Sequence, residues 1–411
     1  MKDEEKVVNE YYRKNVVTVL NSYSTKTSKL FYSIVYKKII DRYGEEFEDK
    51  GLIDELGKAG KIYTASMAAS NGMFDENTGN ILIKHYLDKL TTFVFHEIVH
   101  KIGWIKNGKK KSKLNNVSKE GGTNIVTNES LKLYDGKMLY FGKYLARHPN
   151  IINGSYLSYE LFMAQLNQVI GNEALPKSIL NGDNSFDNKC KRFFGEEQYS
   201  QLVSTIRNID VGIETYWLEY GLNSSKAKKT EEEIGSLVEK TQDEILTYSF
   251  DELIKSIKTK KDAEKYLNKL LLFSNYRIRK YSKKKTTDKF FVEYFNRKKK
   301  ELEERTGQPL EITYDDTEWD KKYDFIKLGV VEVPNSEQKE IMKKGRIEQK
   351  KIKFRRIKDL FGIGNISVTT IDKPLYKGRN EFERVQIDLV KQLQDKFKKD
   401  IETSKKEKED R

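Results

Sequence analysis

Residues 90 to 104 read Leu-Thr-Thr-Phe-Val-Phe-His-Glu-Ile-Val-His-Lys-Ile-Gly-Trp, a helical stretch so apolar on every side that it has to lie inside the molecule. Titratable groups inside such a stretch need a reason. Residues four apart share one face of an α-helix, so His96 and His100 aim both rings at a single point. Glu97 stands about 100° round the axis from His96, within reach of a water held at that point without itself being a ligand. A buried carboxylate is costly unless something pairs with it, and a water on a metal ion would serve. The pattern predicts a Zn²⁺ site with two imidazole ligands and one general base. The bland alternative is a core helix carrying two satisfied histidines.

Cys190 is the only cysteine, which excludes an internal disulfide and a thiolate zinc cluster. Any metal is held by nitrogen and oxygen. The third ligand is expected on a second helix, from Ser118-Lys119-Glu120-Gly121-Gly122-Thr123-Asn124. Glu120 lies far enough past His100 for a loop and a returning helix, and a carboxylate there completes a two-His, one-Glu site with a fourth position for water. Asn124, one turn further on, is placed to accept a hydrogen bond from the far nitrogen of one ligand ring. Glu129, Asp135 and Glu160 compete with Glu120, which could instead only favour the start of a helix dipole.

Ahead of the helix, Ile62-Tyr63-Thr64 reads as a strand. Gly72-Met73-Phe74 and Asn80-Ile81-Leu82-Ile83-Lys84 read as a hairpin across Asp75 to Gly79, whose Asp, Asn and Gly tolerate positive φ. Asp88 is the expected N-cap of the buried helix and Gly108 its stop. Lys109-Lys110-Lys111-Ser112-Lys113 is most simply a solvated loop.

Residues about 61 to 130 resemble the core of the zincin metallopeptidases, and among these the gluzincins. The residues that carry the likeness are His96, Glu97, His100 and Glu120, with Glu120-Gly121-Gly122-Thr123-Asn124 similar to that family's Glu, two variable residues, Ser or Thr, then Asp. Asn124 stands where the family has Asp and orients a histidine less strongly. The metzincin pattern needs a third His at the position of Lys106, so that subfamily is disfavoured. The resemblance implies zinc-dependent hydrolysis of peptide bonds in a peptide or protein substrate, with Glu97 moving the proton from water to the leaving amine. It also implies that Asn80, Ile81, Leu82 and Ile83 form an edge strand along which an extended peptide lies; an interior strand is the alternative. A donor for the developing oxyanion is sought in His148, Tyr156 and Tyr159, with Tyr134 and Tyr140 also following the ligand helix. His148 reads as a loop residue and His85 as part of the hairpin strand.

The remaining chain bounds the organisation. Of its 411 residues 37% are hydrophobic and 34% charged, so much of it is exposed helix or polar extension. Residues 1 to 225 carry a net charge of +3 and residues 226 to 411 the other +11, which suggests a boundary near Asn223-Ser224-Ser225. The expected fold is α+β. A zincin-like domain over 1–225 has its core at 61–130, with a small sheet and the active-site helix, and a helical subdomain at 155–225. A mainly helical, basic accessory region follows over 226–411. That region reads as long helices from Thr230 to Arg305, then a small mixed module at 306–375 with strands at Leu310–Tyr314 and Ile366–Thr370. A charged tail ends the chain. Basic clusters at 283–285 with 297–300, and at 343–358, allow contact with nucleic acid, though amphipathic helices with solvated faces explain them more simply. The mixed charge of the first residues and the lack of a long apolar run point to a cytoplasmic protein with no transmembrane segment. Two other readings are a nucleic-acid-associated protein with a structural metal site, and a silent zincin scaffold that binds a protein partner.

Overall fold

The computed structural model describes residues 17–49, 51–67, 72–84, 92–131, 136–148, 156–171, 173–220, 224–282, 285–322 and 324–325. Its elements mix α and β, as expected. The chain enters through β1 (Val17–Ser22), α1 (Thr25–Tyr43) and α2 (Leu52–Lys58), then lays down β2 (Ile62–Met67), β3 (Gly72–Asp75) and β4 (Asn80–Lys84). The four strands order as β1-β2-β4-β3, with β2 parallel to β4 and the outer strands antiparallel to their neighbours. The hairpin forms where the turn residues place it. Asp75 pairs with Asn80, and its carboxylate closes the turn by accepting from the Asn77 amide at 2.9 Å and the Thr78 hydroxyl at 2.8 Å.

One expectation is corrected here. The strand Asn80–Lys84 is not an edge: it is hydrogen-bonded to β2 on one side and β3 on the other. Ile81, Leu82 and Ile83 are all fully buried, as expected of a strand covered on both faces. Among the described residues, the free edge beside the buried helix belongs to β3.

Two helices follow, α3 (Thr92–Lys106) and α4 (Asn116–Ser130). The first buries Val94, Phe95, Ile98, Val99 and Ile102 and stops before Gly108, whose φ of 65° a side chain would strain. Its Lys101 is buried too, donating to the Tyr32 hydroxyl at 3.0 Å and the Gly60 carbonyl at 3.2 Å, and burial pushes its pKa down to about 7. Then come α5 (Leu157–Ile170), α6 (Ala174–Asn181), α7 (Ser185–Phe194) and α8 (Glu196–Tyr220), broken at Gly171, Gly182 and Gly195 as the sequence indicates.

The expected division near residue 225 is not a division of the core. A second sheet, ordered β8-β7-β6-β5-β9, joins β5 (Gly136–Phe141) and β6 (Tyr144–His148) to β7 (Arg279–Ser282), β8 (Lys285–Thr287) and β9 (Asp324–Phe325). α9 (Ser224–Leu253) packs along α8, and one apolar cluster runs from Phe31 to Leu310 through α10 (Lys260–Ser274) and α11 (Lys289–Thr306). Charge asymmetry reports on surfaces, and here it does not mark a boundary inside. The expected helical run to Arg305 is interrupted by β7 and β8. Leu310–Tyr314 is irregular rather than a strand, and leads to the short α12 (Asp316–Lys322). Asp88, His85, Tyr134, Asp135, Ile366–Thr370 with the rest of the module beyond residue 325, the 343–358 cluster and the tail lie outside the described residues.

Among the described residues no helix is long and apolar enough to cross a membrane. The cations of α11 are largely matched by acids. Lys298 reaches Asp251 at 2.8 Å and Glu301 at 2.9 Å, while Lys299 and Lys300 each face a glutamate one turn on at 3.9 Å.

Candidate metal centre

The packing of α4 against α5 and α6 explains why glycines follow Glu120. A Cβ on Gly121 would stand 2.6 Å from the Tyr159 carbonyl oxygen, and one on Gly122 would stand 2.6 Å from Ile179 Cγ1. Only two bare backbones let α4 come that close. Its amino end is held by Asn115, which caps the Ser118 amide at 3.0 Å, and by the buried Asp187, which accepts from Ser118 Oγ at 2.6 Å and the Tyr199 hydroxyl at 2.7 Å. The side chain of Glu120 is thereby delivered to the face of α3 that carries both histidines.

His96 Nε2 and His100 Nε2 lie 3.0 Å apart, and Glu120 Oε2 lies 3.2 Å from the first and 3.3 Å from the second. Donors about 2.0–2.1 Å from a tetrahedral ion are separated by about 3.3–3.4 Å, so the three atoms describe one face of such a coordination shell. The group is geometrically able to bind a metal ion. Two of the competitors for the third position are engaged elsewhere: Glu129 pairs with Arg42 and Tyr43, and the buried Glu160 accepts both contacts from Asn128 Nδ2 at 3.1 Å.

The surrounding residues divide by what they touch. Thr123 Oγ1 lies 3.3 Å from His100 Nδ1, leaving that ring's Nε2 for the shared point. The Asn124 side chain interacts with His96 and favours its protonated form. Lys119 Nζ stands 3.8 Å from Glu120 Oε1, the oxygen turned away from the histidines, and 3.6 Å from Glu76 in the β3–β4 turn. Sequence reading assigned no role to Thr123 or Lys119; Thr123 was visible only as the Ser/Thr of the family pattern.

Burial opposes the charge of His96, yet the bond to Glu120 and the charges of Glu97 and Glu120 outweigh it, and its pKa stands above the ordinary value. Glu120 is held well below the usual carboxylate range, because His100 and His96 more than offset its burial. Glu97 goes the other way: burial pushes it up, and the two histidines offset only part of that cost. Its carboxylate lies under the edge strand β3, where a Cβ on Gly72 would stand 2.8 Å from Glu97 Oε1.

Of the residues proposed as oxyanion donors, Tyr156 lies within electrostatic reach of Glu120 and Glu97. Its hydroxyl pKa is pushed up to about 12, by burial first and then by the charge of Glu120, the neighbouring Tyr159 and the charge of Glu97. Tyr156 also has a φ of 68°, a left-handed backbone that is uncommon outside glycine and clusters at functional sites. Tyr159 stacks on Tyr156 with ring centroids 5.2 Å apart, and its hydroxyl interacts with Arg207 of α8. Tyr140 is spent on Ser158 at 2.6 Å. His148 is not a loop residue: its backbone closes β6 opposite Gly136, and its side chain lies outside what the structure describes.

No family model, curated protein or solved structure matches this chain. The site is therefore read from its own geometry.

Proposed function

We propose that the chain is a zinc-dependent peptidase of the gluzincin kind, with a zincin-like arrangement of hairpin, buried helix and ligand helix. The observation that carries this reading is the convergence of His96 Nε2, His100 Nε2 and Glu120 Oε2 beside the buried carboxylate of Glu97. Two nitrogens and one carboxylate oxygen with a position left for water form the donor set of a catalytic rather than a structural zinc. Bound zinc supplies Lewis acidity toward a scissile carbonyl and toward water.

The chain's own residues account for the rest. Glu97, its pKa raised from the ordinary value by burial, takes a proton from the attacking water and returns it to the leaving amine. Tyr156 donates its phenolic hydrogen to the oxygen on which charge develops. The free edge of β3 offers main-chain hydrogen bonds to an extended peptide, and Gly72 lets that edge pass directly over Glu97.

The test is zinc content and peptide hydrolysis in the wild type beside His96→Ala, Glu120→Ala and Glu97→Gln. One zinc per chain is expected in the wild type and in Glu97→Gln, and none in the ligand variants. Glu97→Gln should cut hydrolysis by about 10²–10⁴-fold. A wild type without zinc after reconstitution, or hydrolysis indifferent to Glu97, would overturn the proposal.

A further inference from the structure

The two carboxylate oxygens of Glu120 have different surroundings. Oε2 lies 3.2 Å from His96 Nε2 and 3.3 Å from His100 Nε2. Oε1 faces the cation of the preceding residue, with Lys119 Nζ at 3.8 Å. A carboxylate can offer a metal ion one oxygen or both, and a second oxygen from Glu120 would take the position that a catalytic zinc keeps for water. Whatever holds Oε1 away from the shared point therefore bears on what the centre can do.

Lys119 is held from its other side. Its Nζ lies 3.6 Å from Glu76 Oε1, in the turn between β3 and β4 that the Asp75 carboxylate closes. One lysine thus spans from the ligand helix α4 to the hairpin whose free edge passes over Glu97. The side chains of Lys119, Glu76 and Glu120 are 28%, 22% and 13% exposed, so their charges are screened less than those of an open surface pair. Lys119 and Thr123 stand one turn apart on α4 and line the recess beside His100, while Glu120 and Asn124 form the neighbouring stripe toward the histidines. The charge of Lys119 also reaches Glu97. A lysine paired with Glu76 alone would be an ordinary tie between turn and helix; the approach to Oε1 brings this one to bear on the metal centre.

We propose that Lys119 is a positioning residue of the metal centre: anchored by Glu76, it keeps Glu120 Oε1 turned outward, so that Glu120 serves as a one-oxygen ligand and the fourth position stays open to water. Lys119 acts through Glu120 and is not itself a ligand. This inference rests on the zinc peptidase reading above.

The experiment loads the full-length chain with Co²⁺ or Zn²⁺ and compares the wild type with Lys119→Met, Lys119→Arg and Glu76→Gln. Four donors round Co²⁺ give strong visible absorption and five give weaker bands, so the spectrum reads whether Glu120 offers one oxygen or two. Lys119→Met should lose Co²⁺ band intensity while zinc binding holds or tightens, because a repelling cation is gone and a second oxygen is gained. Peptide hydrolysis should fall about 10–100-fold, the usual cost of losing a partner of a metal ligand. Lys119→Arg should keep the wild-type spectrum, and Glu76→Gln should lose part of the band intensity. A wild-type spectrum in Lys119→Met or in Glu76→Gln would overturn the proposal, as would an arginine variant no better than the methionine one. So would loss of zinc in Lys119→Met, which would mark the lysine as ordinary support for the ligand helix. A spectrum that answers to Lys119 in a chain that hydrolyses no peptide would keep the positioning role and sink the peptidase reading; hydrolysis with a spectrum indifferent to Lys119 would do the opposite. A wild type that takes up neither ion would overturn both.

Discussion

Two buried clusters of charge sit in this molecule, and they are built on opposite principles. In the carboxyl-terminal part Arg277 is fully buried, bonds to Asp288 at 2.5 and 3.0 Å and to Asp243 at 2.5 Å, while the equally buried Arg279 meets Asp316 and the Tyr314 hydroxyl. Two fixed cations face three carboxylates. In the candidate metal centre Glu97 and Glu120 face two imidazoles and one partly shared lysine. The outcome for the carboxylates differs accordingly. Arg277 more than offsets the burial of Asp288 and holds its pKa below the ordinary value, whereas the histidines fail to offset the burial of Glu97, which rises. Neither burial nor a nearby cation decides alone: Asp243, bonded to the same Arg277, still rises because its burial outweighs the guanidinium, while Glu120 falls between two imidazoles. The first cluster pairs both guanidinium groups with carboxylates, though Arg277 Nη1 and Arg279 Nε have no partner among the described residues, and the second points its donors at one shared spot.

The largest effect expected from breaking this contrast is in the arginine cluster. Arg277→Met should cost about 3–5 kcal/mol, because it strands Asp288 and Asp243 in a low-dielectric site. Urea denaturation would read the loss, and neither zinc nor chelator should alter it. Adding Asp243→Asn and Asp288→Asn should recover part of it, since the amide oxygen introduced by the second change can still cap the Phe291 amide of α11, as the Asp288 carboxylate does. A loss below about 1 kcal/mol would mean that the cluster is wetter than its burial indicates. The metal centre should answer to zinc instead. At a free zinc concentration 1,000 times Kd the wild type should gain about 4 kcal/mol of stability over its metal-free form. The gain should be absent in His96→Ala, and calorimetry with and without chelator would decide it.

The contrast also explains what could be read in advance. The metal centre is local: His96, Glu97 and His100 lie on one helical turn, and Glu120 on the next helix, so periodicity and spacing suffice to bring them together. The second sheet is not. β6 pairs with β7 across more than 130 residues of chain, and nothing in Tyr144–His148 or Arg279–Ser282 announces the other. The Arg277 cluster is nearer in sequence, 34 residues to Asp243 in α9 and 11 to Asp288 at the start of α11, but no periodic spacing marks these partners. Charge counts report solvent-facing residues and say nothing of Val238, Leu246, Leu267 and Phe295, which join the same apolar cluster as the amino-terminal elements. The hairpin was legible from its turn residues, but which of its strands lies at the edge was not. That depends on β2 pairing in parallel with β4, a non-local choice, although the unbroken Ile81-Leu82-Ile83 run was itself a sign of burial on both faces.

Smaller changes sharpen the comparison inside the metal centre. Gly72→Ala places a methyl group on the Glu97 carboxylate, at 2.8 Å from Oε1 unless the side chain shifts. Glu97 is the softer party, so the fold should hold and zinc should stay, while hydrolysis falls by about 10–10²-fold from a misplaced base. Loss of zinc in this variant would show that Glu97 helps to hold the metal, contrary to its assigned role.

Thr123→Val tests the gentlest support. Its hydroxyl lies 3.3 Å from His100 Nδ1, and α4 already fixes its backbone through Asn115 and Asp187, so removing the hydroxyl leaves the helix in place. What changes is the preference of the His100 ring for the tautomer that leaves Nε2 free to ligate. Losing one such outer hydrogen bond typically weakens metal affinity by about 10–100-fold, and the lower end is expected here because a hydroxyl is a weaker acceptor than a carboxylate. Competition with a chelator of known affinity would measure it, with melting of the metal-free protein as the control. A drop confined to zinc affinity would mark Thr123 as a group that orients His100. An equal drop in the metal-free melting temperature would return it to the core as ordinary packing.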